Sequence, residues 1–231
     1  MLALKQSLSR KGFDIQVLFS SGVYNNYLSA KGLSEYNLPV TESMCMLVGN
    51  TKKLWPNFIA DSNGQSLDSW TASQIYSSAK EFVGKFSIYF VFDDYIIHMD
   101  KITRGKKRIA FQTLGQSIGF SISIPGTGLS VTREYGPWFA FRAVIIFHDQ
   151  KFELPKQDIQ TLEDWIRESI SSDQLKHFEQ KTRDALALTD AFKEFIEIRK
   201  EIGILLNKQD QEYSYNQMMY HYTKSKDYLK I

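Results

Sequence analysis

From Arg133 to Phe147 the chain reads Arg-Glu-Tyr-Gly-Pro-Trp-Phe-Ala-Phe-Arg-Ala-Val-Ile-Ile-Phe, and no other stretch constrains the fold as tightly. Tyr135-Gly136-Pro137 is a turn signal. Beyond it, from Trp138 to Phe147, only Arg142 interrupts the apolar side chains. A strand without polar alternation is buried on both faces. A guanidinium entering such a strand must find a partner or line a cavity. Arg142 therefore either pairs with a carboxylate of the protein or reaches an anionic ligand. Its planar fork suits the second role, because it binds carboxylate or phosphate through two parallel hydrogen bonds.

A chain of 231 residues suits one domain, or one domain with a helical extension. Its 43% hydrophobic content can build a core, and its 14% aromatic content permits a pocket for a flat ligand. A net charge of +2 carries no strong sign, so neither nucleic acid nor an anionic membrane is implied by charge. Cys45 is the single cysteine, which excludes an internal disulfide, a Cys-x-x-Cys motif, a cysteine-ligated zinc site and an iron–sulfur cluster. Its apolar setting, Met44 to Val48, reads as that of a buried, inert thiol. Lys5, Arg10 and Lys11 interrupt the leading leucines, and no apolar run reaches transmembrane length. The expectation is a cytoplasmic protein.

Along the chain, residues 1–11 read as a helix closed by Gly12, 13–19 as a strand, 22–31 as a helical turn and 44–48 as a buried strand. Gly49-Asn50-Thr51 reads as a turn into a helix marked by Pro56. A helix follows over 67–82, then a strand over 86–92 and extended chain over 95–99. The cluster Arg104 to Arg108 reads as a solvated helix start, leading into a helix over 107–118 stopped by Gly119. Residues 120–124 and 128–132 read as a hairpin through Pro125-Gly126-Thr127. Helical periodicity dominates after Pro155, over 156–206 and again over 211–223. This order is no clean βαβα series, and it points to an α+β sandwich with a helical C-terminal third. The expected organisation is an α+β core over 1–150 and a helical region over 151–231 that packs on it.

Several constellations carry two readings each. Gly49-Asn50-Thr51, before a helix, is either a phosphate cradle or ordinary capping. Gly115 and Gly119 lie four apart on one helical face and admit either a sheet or a flat ligand at close range. Tyr213, Gln217 and Tyr220 read as one face of the last helix, either packing or a ligand wall. His98, His148, His177 and His221 are scattered, so no metal site is expected. There is no Gly-x-Ser-x-Gly motif, no Walker loop and no hydrolytic carboxylate pair, and no catalytic residue is assigned.

The stretch Tyr135-Gly136-Pro137-Trp138-Phe139-Ala140-Phe141-Arg142-Ala143 resembles the "FGGWFAIRG" segment of the CblC (MMACHC) family of cobalamin-processing enzymes. It is also similar to "YGLWHAYRG" in related bacterial proteins. Val48 to Phe58 resembles the "IGNAGPALW" segment of those relatives, and Ser66-Leu67-Asp68-Ser69-Trp70 their "PLDRW". Phe111 to Gly119 is similar to "AQTAAHVAG", with Gln112, Thr113 and Gly119 in matching places and Gln116 where the family has His. Glu212 to Tyr220 resembles the "RYSEEQKAYF" helix.

The resemblance implies a nitroreductase-like sandwich around a mainly antiparallel central sheet. It implies cobalamin bound base-off, with reductive removal of its upper axial ligand by decyanation or dealkylation. FMN or FAD and glutathione would act as electron donor and co-substrate. Arg142 matches the arginine of the family's glutathione pocket. Gly49, Asn50, Thr51, Gln112, Thr113, Gly115, Gln116, Gly119, Trp138, Tyr213, Gln217 and Tyr220 fall to the cobalamin or flavin pocket. Candidate protein partners are a second copy of the chain and a downstream cobalamin-trafficking protein. Two other readings stay open: a nitroreductase-like flavin reductase that never meets cobalamin, and a non-catalytic cobalamin carrier or adaptor.

Overall fold

The computed structural model describes residues 1–81, 84–91, 95–98, 101–104, 109–151 and 159–229. In chain order the elements are α1 (Leu2–Arg10), β1 (Ile15–Ser20), α2 (Ser21–Ala30), β2 (Ser43–Asn50), α3 (Leu54–Asp61) and α4 (Leu67–Lys80). They continue as β3 (Phe86–Phe90), β4 (Tyr95–His98), β5 (Lys101–Arg104), α5 (Phe111–Ser117), β6 (Ile122–Ser123), β7 (Ser130–Val131) and β8 (Ala140–Lys151). The helices α6 (Ile159–Ser169), α7 (Ser172–Leu186), α8 (Ala191–Leu205) and α9 (Tyr215–Thr223) complete the chain. Two compact units result, Met1–Ile118 with Ala140–Gln157 and Gly119–Phe139 with Asp158–Ile231.

The first unit is built on a six-stranded sheet of order β1-β2-β8-β3-β4-β5, in which every neighbouring pair is antiparallel. All eight residues of β2 are buried, as are Ala143 to Phe147 of β8, so the two most apolar strands lie side by side. This placement follows from burying the longest apolar runs where both faces are covered. Ser20 caps α2 by accepting from the Gly22 amide, and Ser66 caps α4 by accepting from Ser69. Gly12, at φ +89°, is required at the α1–β1 turn, because a Cβ there would come within 2.5 Å of the Leu54 Cα. Cys45 is fully buried, and burial pushes its thiol pKa up.

Two expectations in this unit are corrected. Arg104 ends strand β5 and starts no helix; residues 105–108 of that basic cluster lie outside the described residues. The helix expected from residue 107 begins at Phe111, where the Ala110 amide donates to the Tyr24 hydroxyl at 3.1 Å. Phe82, Phe92, Asp93, Asp94 and Met99 also lie outside the described residues.

The second unit joins the β6–β7 hairpin to helices α6 to α9. Its larger core gathers Ile122, Ile124 and Val131 of the hairpin region with Ile166, Phe178, Ile198 and Ile202 of the helices. A capping box at Ser171 and Gln174 separates α6 from α7. The smaller core holds Trp138, Ile196, Tyr213 and Met218. Because Ser214 caps α9, Tyr213 lies ahead of the helix and shares no helical face with Gln217 and Tyr220, contrary to the sequence expectation. Among the described residues no helix is long and apolar enough to cross a membrane. The class is α+β, with a mainly antiparallel sheet and a helical C-terminal part.

Candidate functional site

Arg142 stands at a β-bulge. The β2–β8 register runs Val48 to Ala143 and then Gly49 to Phe141, so Arg142 has no opposite residue on β2. A bulge re-aims a side chain out of the regular alternation. Gly49 permits it: a Cβ at that position would meet the Ala140 carbonyl oxygen at 2.7 Å. The Arg142 carbonyl accepts from the Val91 amide at 3.0 Å, which ties the bulge to the end of β3.

The guanidinium is buried, and its partners include two side chains of unlike character. Its Nε donates to Asn50 Oδ1 at 2.6 Å, while Asn50 Nδ2 donates to the Thr51 carbonyl at 2.7 Å. On the other edge, Nη1 lies 3.8 Å from Asp68 Oδ1, a carboxylate on the first turn of α4. Three separate sequence segments, Val48–Thr51, Ser66–Trp70 and Phe139–Ala143, thus converge on one cation. Asn50 was an expected site residue. Asp68 belongs to the Ser66–Trp70 motif, and nothing local in the sequence ties it to Arg142.

The Gly49-Asn50-Thr51 turn is corrected by this geometry. Gly49 and Asn50 belong to strand β2, and the Thr51 amide and hydroxyl both donate to Asp14, at 2.9 and 2.7 Å. Lys53 Nζ lies 3.6 Å from the same carboxylate. A protein carboxylate fills the place an anion would take, so Thr51 is capped and does not cradle phosphate. A flavin phosphate does not fit at this turn.

On α5, Gln112 is exposed, Thr113 and Gln116 are half-buried, and Gly115 is buried. The helix meets the bulge strand through Phe111, whose ring lies 6.1 Å from that of Phe141. Gly119 follows the helix at φ +64°, the left-handed conformation that ends it.

The remaining expected residues belong to the second unit. Trp138 is fully buried, 5.6 Å from the Tyr213 ring, and packs so closely on α8 that a Cβ at Gly203 would stand 2.7 Å from its Nε1. Tyr213 stacks in turn on His221. Gln217 and Tyr220 are buried. Trp138 Nε1 and Gln217 Nε2 are buried donors with no acceptor among the described residues.

The organising cation here is Arg199, which no sequence motif marks. Its Nε and Nη2 donate to the Pro137 carbonyl at 2.8 and 2.6 Å, and Nη2 also donates to the Phe139 carbonyl at 3.0 Å. The guanidinium lies 5.2 Å from the Trp138 ring centroid and 5.1 Å from that of Tyr213. In the sequence it sits among Lys and Glu on a helix and reads as a surface residue.

No family model matches the chain, and no curated protein matches it. Among solved structures it is similar to a B12-trafficking protein CblC of C. elegans, a homologue of human MMACHC. The TM-score is 0.61 at 19% identity, over 95% of this chain and 89% of that one. The two share a fold. The α+β architecture implied by the family resemblance is therefore the one the chain adopts, and the likeness extends over nearly its whole length.

Proposed function

We propose that the protein binds cobalamin base-off and reductively removes its upper axial ligand. The observation that carries this reading is the convergence on Arg142 of the motif segments that resemble the CblC family, in a chain with the fold of a B12-trafficking CblC. Arg142 holds a carboxylate of an anionic co-substrate, with glutathione as the candidate. Asn50 fixes its orientation through the hydrogen bond that Nε donates. In the second unit by itself, Trp138, Tyr213, Gln217 and Tyr220 are the residues the family resemblance gives to a cobalamin pocket, and the buried donors of Trp138 and Gln217 support that assignment. Gly115 allows close approach to α5, beside Gln112, Thr113 and Gln116, and Gly119 ends that helix. The corrin carries the hard chemistry, and a reduced flavin would act as a transient electron donor rather than through a phosphate site at Thr51.

The test is a titration of the purified protein into cyanocobalamin and methylcobalamin, followed by the visible spectrum. The expected result is a base-off shift at micromolar protein, followed by loss of the upper ligand on addition of reduced flavin or glutathione. An unchanged spectrum refutes the proposal.

A second reading, a carrier that binds without reacting, is favoured by one observation. Thr51 and Arg142 are both engaged by side chains of the protein itself. It predicts the same spectral shift with the upper ligand retained.

A further inference from the structure

Helix α9 presents two opposite faces. At three to four residues per turn, Gln217 and Tyr220 stand on one, and Tyr215, Met218 and Met219 on the other. The second face turns to α8, and a cavity of about 320 Å³ opens between the two helices, within the second unit. Ile196 and Met218, both buried, form its floor, and the half-buried Phe192 and Met219 its walls. Tyr215 stands at the mouth, 66% exposed, with its ring edge-on to Tyr228. The rim is charged. Lys193, Glu197 and Lys200 lie along two turns of α8, a span of about 10 Å. Lys193 Nζ meets Asp190 at 2.7 Å and Lys200 Nζ meets Glu197 at 3.5 Å, and both pairs lie at the surface.

We propose that this groove binds a small amphiphile with an apolar body and a single anionic group, of which a carboxylate is the simplest. Size argues for a small molecule. The cavity stands at the lower end of the roughly 300–1,000 Å³ range of ligand pockets. Its eight lining residues fall well short of the roughly 20–30 a side that a stable protein interface uses. The two thioethers are flexible and polarizable, so floor and wall adapt to the shape of the body. The rim sets the charge: two lysines and one glutamate leave a net +1, which one anionic group balances. Exposed ion pairs contribute little, so either ammonium exchanges its carboxylate partner for that of the ligand at small cost. The groove is separate from the residues assigned to cobalamin on α9, since Gln217 and Tyr220 stand on the opposite face of the helix.

The experiment uses the full-length protein, isotopically labelled at its methionine methyl groups, titrated with octanoate and with octanol and followed by NMR. Met218 and Met219 report on the groove, while Met44 and Met46, in β2 of the first unit, report on binding elsewhere. Octanoate is expected to shift the Met218 and Met219 signals, to leave those of Met44 and Met46 in place, and to bind more tightly than octanol. The double variant Lys193→Gln with Lys200→Gln should weaken octanoate binding about 2- to 30-fold, the size of two exposed charge interactions, and leave octanol binding unchanged. Both lysines sit at the surface, so the core of the unit is untouched. Equal binding of the two probes, or octanoate binding that ignores the double variant, overturns the anionic class. Octanoate that moves neither groove signal, or moves Met44 and Met46 as strongly, overturns the site. Groove signals that shift on dilution of the protein alone show a second copy seated there and overturn the proposal as well.

Discussion

Arg142 and Arg199 show two ways of holding a guanidinium. Arg142, in the first unit, is met by side chains: an amide that grips one edge and a carboxylate that stands off from the other. Arg199, in the second unit, is met by the backbone carbonyls of Pro137 and Phe139 and by two aromatic faces. Backbone carbonyls cannot turn away, so the Arg199 contacts lock a turn and a tryptophan in place. A partly exposed carboxylate can turn away, so the Asp68 contact is looser than any that holds Arg199. The same side-chain chemistry thus serves as scaffold in one unit and as a candidate site in the other.

The largest effect expected from this contrast is on Trp138, the residue Arg199 locks. Trp138→Ala empties a fully buried position against Gly203 and Tyr213 and should cost about 3–5 kcal/mol, read from urea unfolding. A loss below about 1 kcal/mol would show that the second unit does not depend on this core.

The arginines themselves should separate by readout. Arg199→Ala breaks charge-assisted bonds to two carbonyls and should cost about 1.5–3 kcal/mol of stability, with glutathione affinity unchanged. Arg142→Ala should weaken glutathione binding by about 10- to 150-fold, with Arg142→Lys recovering part of it because an ammonium has no fork. Its cost to stability should be held down by Asp68, whose exposed carboxylate is hydrated when the arginine is gone. A large fall in melting temperature with unchanged affinity in Arg142→Ala would erase the contrast and make both arginines scaffold.

The smallest effect is a pH dependence confined to alkali. Burial pushes the hydroxyls of Tyr24 and Tyr89 up to about 12 from an ordinary value of 10.0, with the Ala110 hydrogen bond opposing the shift at Tyr24. The protonated, neutral form is the one the folded state favours, so the folded protein keeps these protons to higher pH than the unfolded chain. Stability from this source is complete below about pH 10 and falls as pH rises towards about 12, with Cys45 acting in the same direction. Melting temperatures across pH 8 to 12 should show the decline, and Tyr24→Phe should flatten it. Both tyrosines lie in the first unit, so Arg199→Ala should leave the slope as it is.

The sequence by itself determined the class of the protein and the importance of one residue. Apolar runs at 44–48 and 139–147 are buried strands because no other placement removes so much hydrocarbon from water, and Arg142 stands out because it interrupts one of them. Gly12, Gly32 and Gly119 mark the ends of α1, α2 and α5 in the sequence, since helix termination by glycine is a local interaction. Only the tertiary structure decided what Arg142 touches, because Asn50 and Asp68 reach it from distant parts of the chain through strand pairing and helix placement. It likewise gave Thr51 to Asp14 and set Arg199 on Trp138, two contacts that no local spacing encodes. Local propensity is written in neighbouring residues. The partner of a buried charge is set by which segments the hydrophobic core brings together, and that is a property of the folded chain.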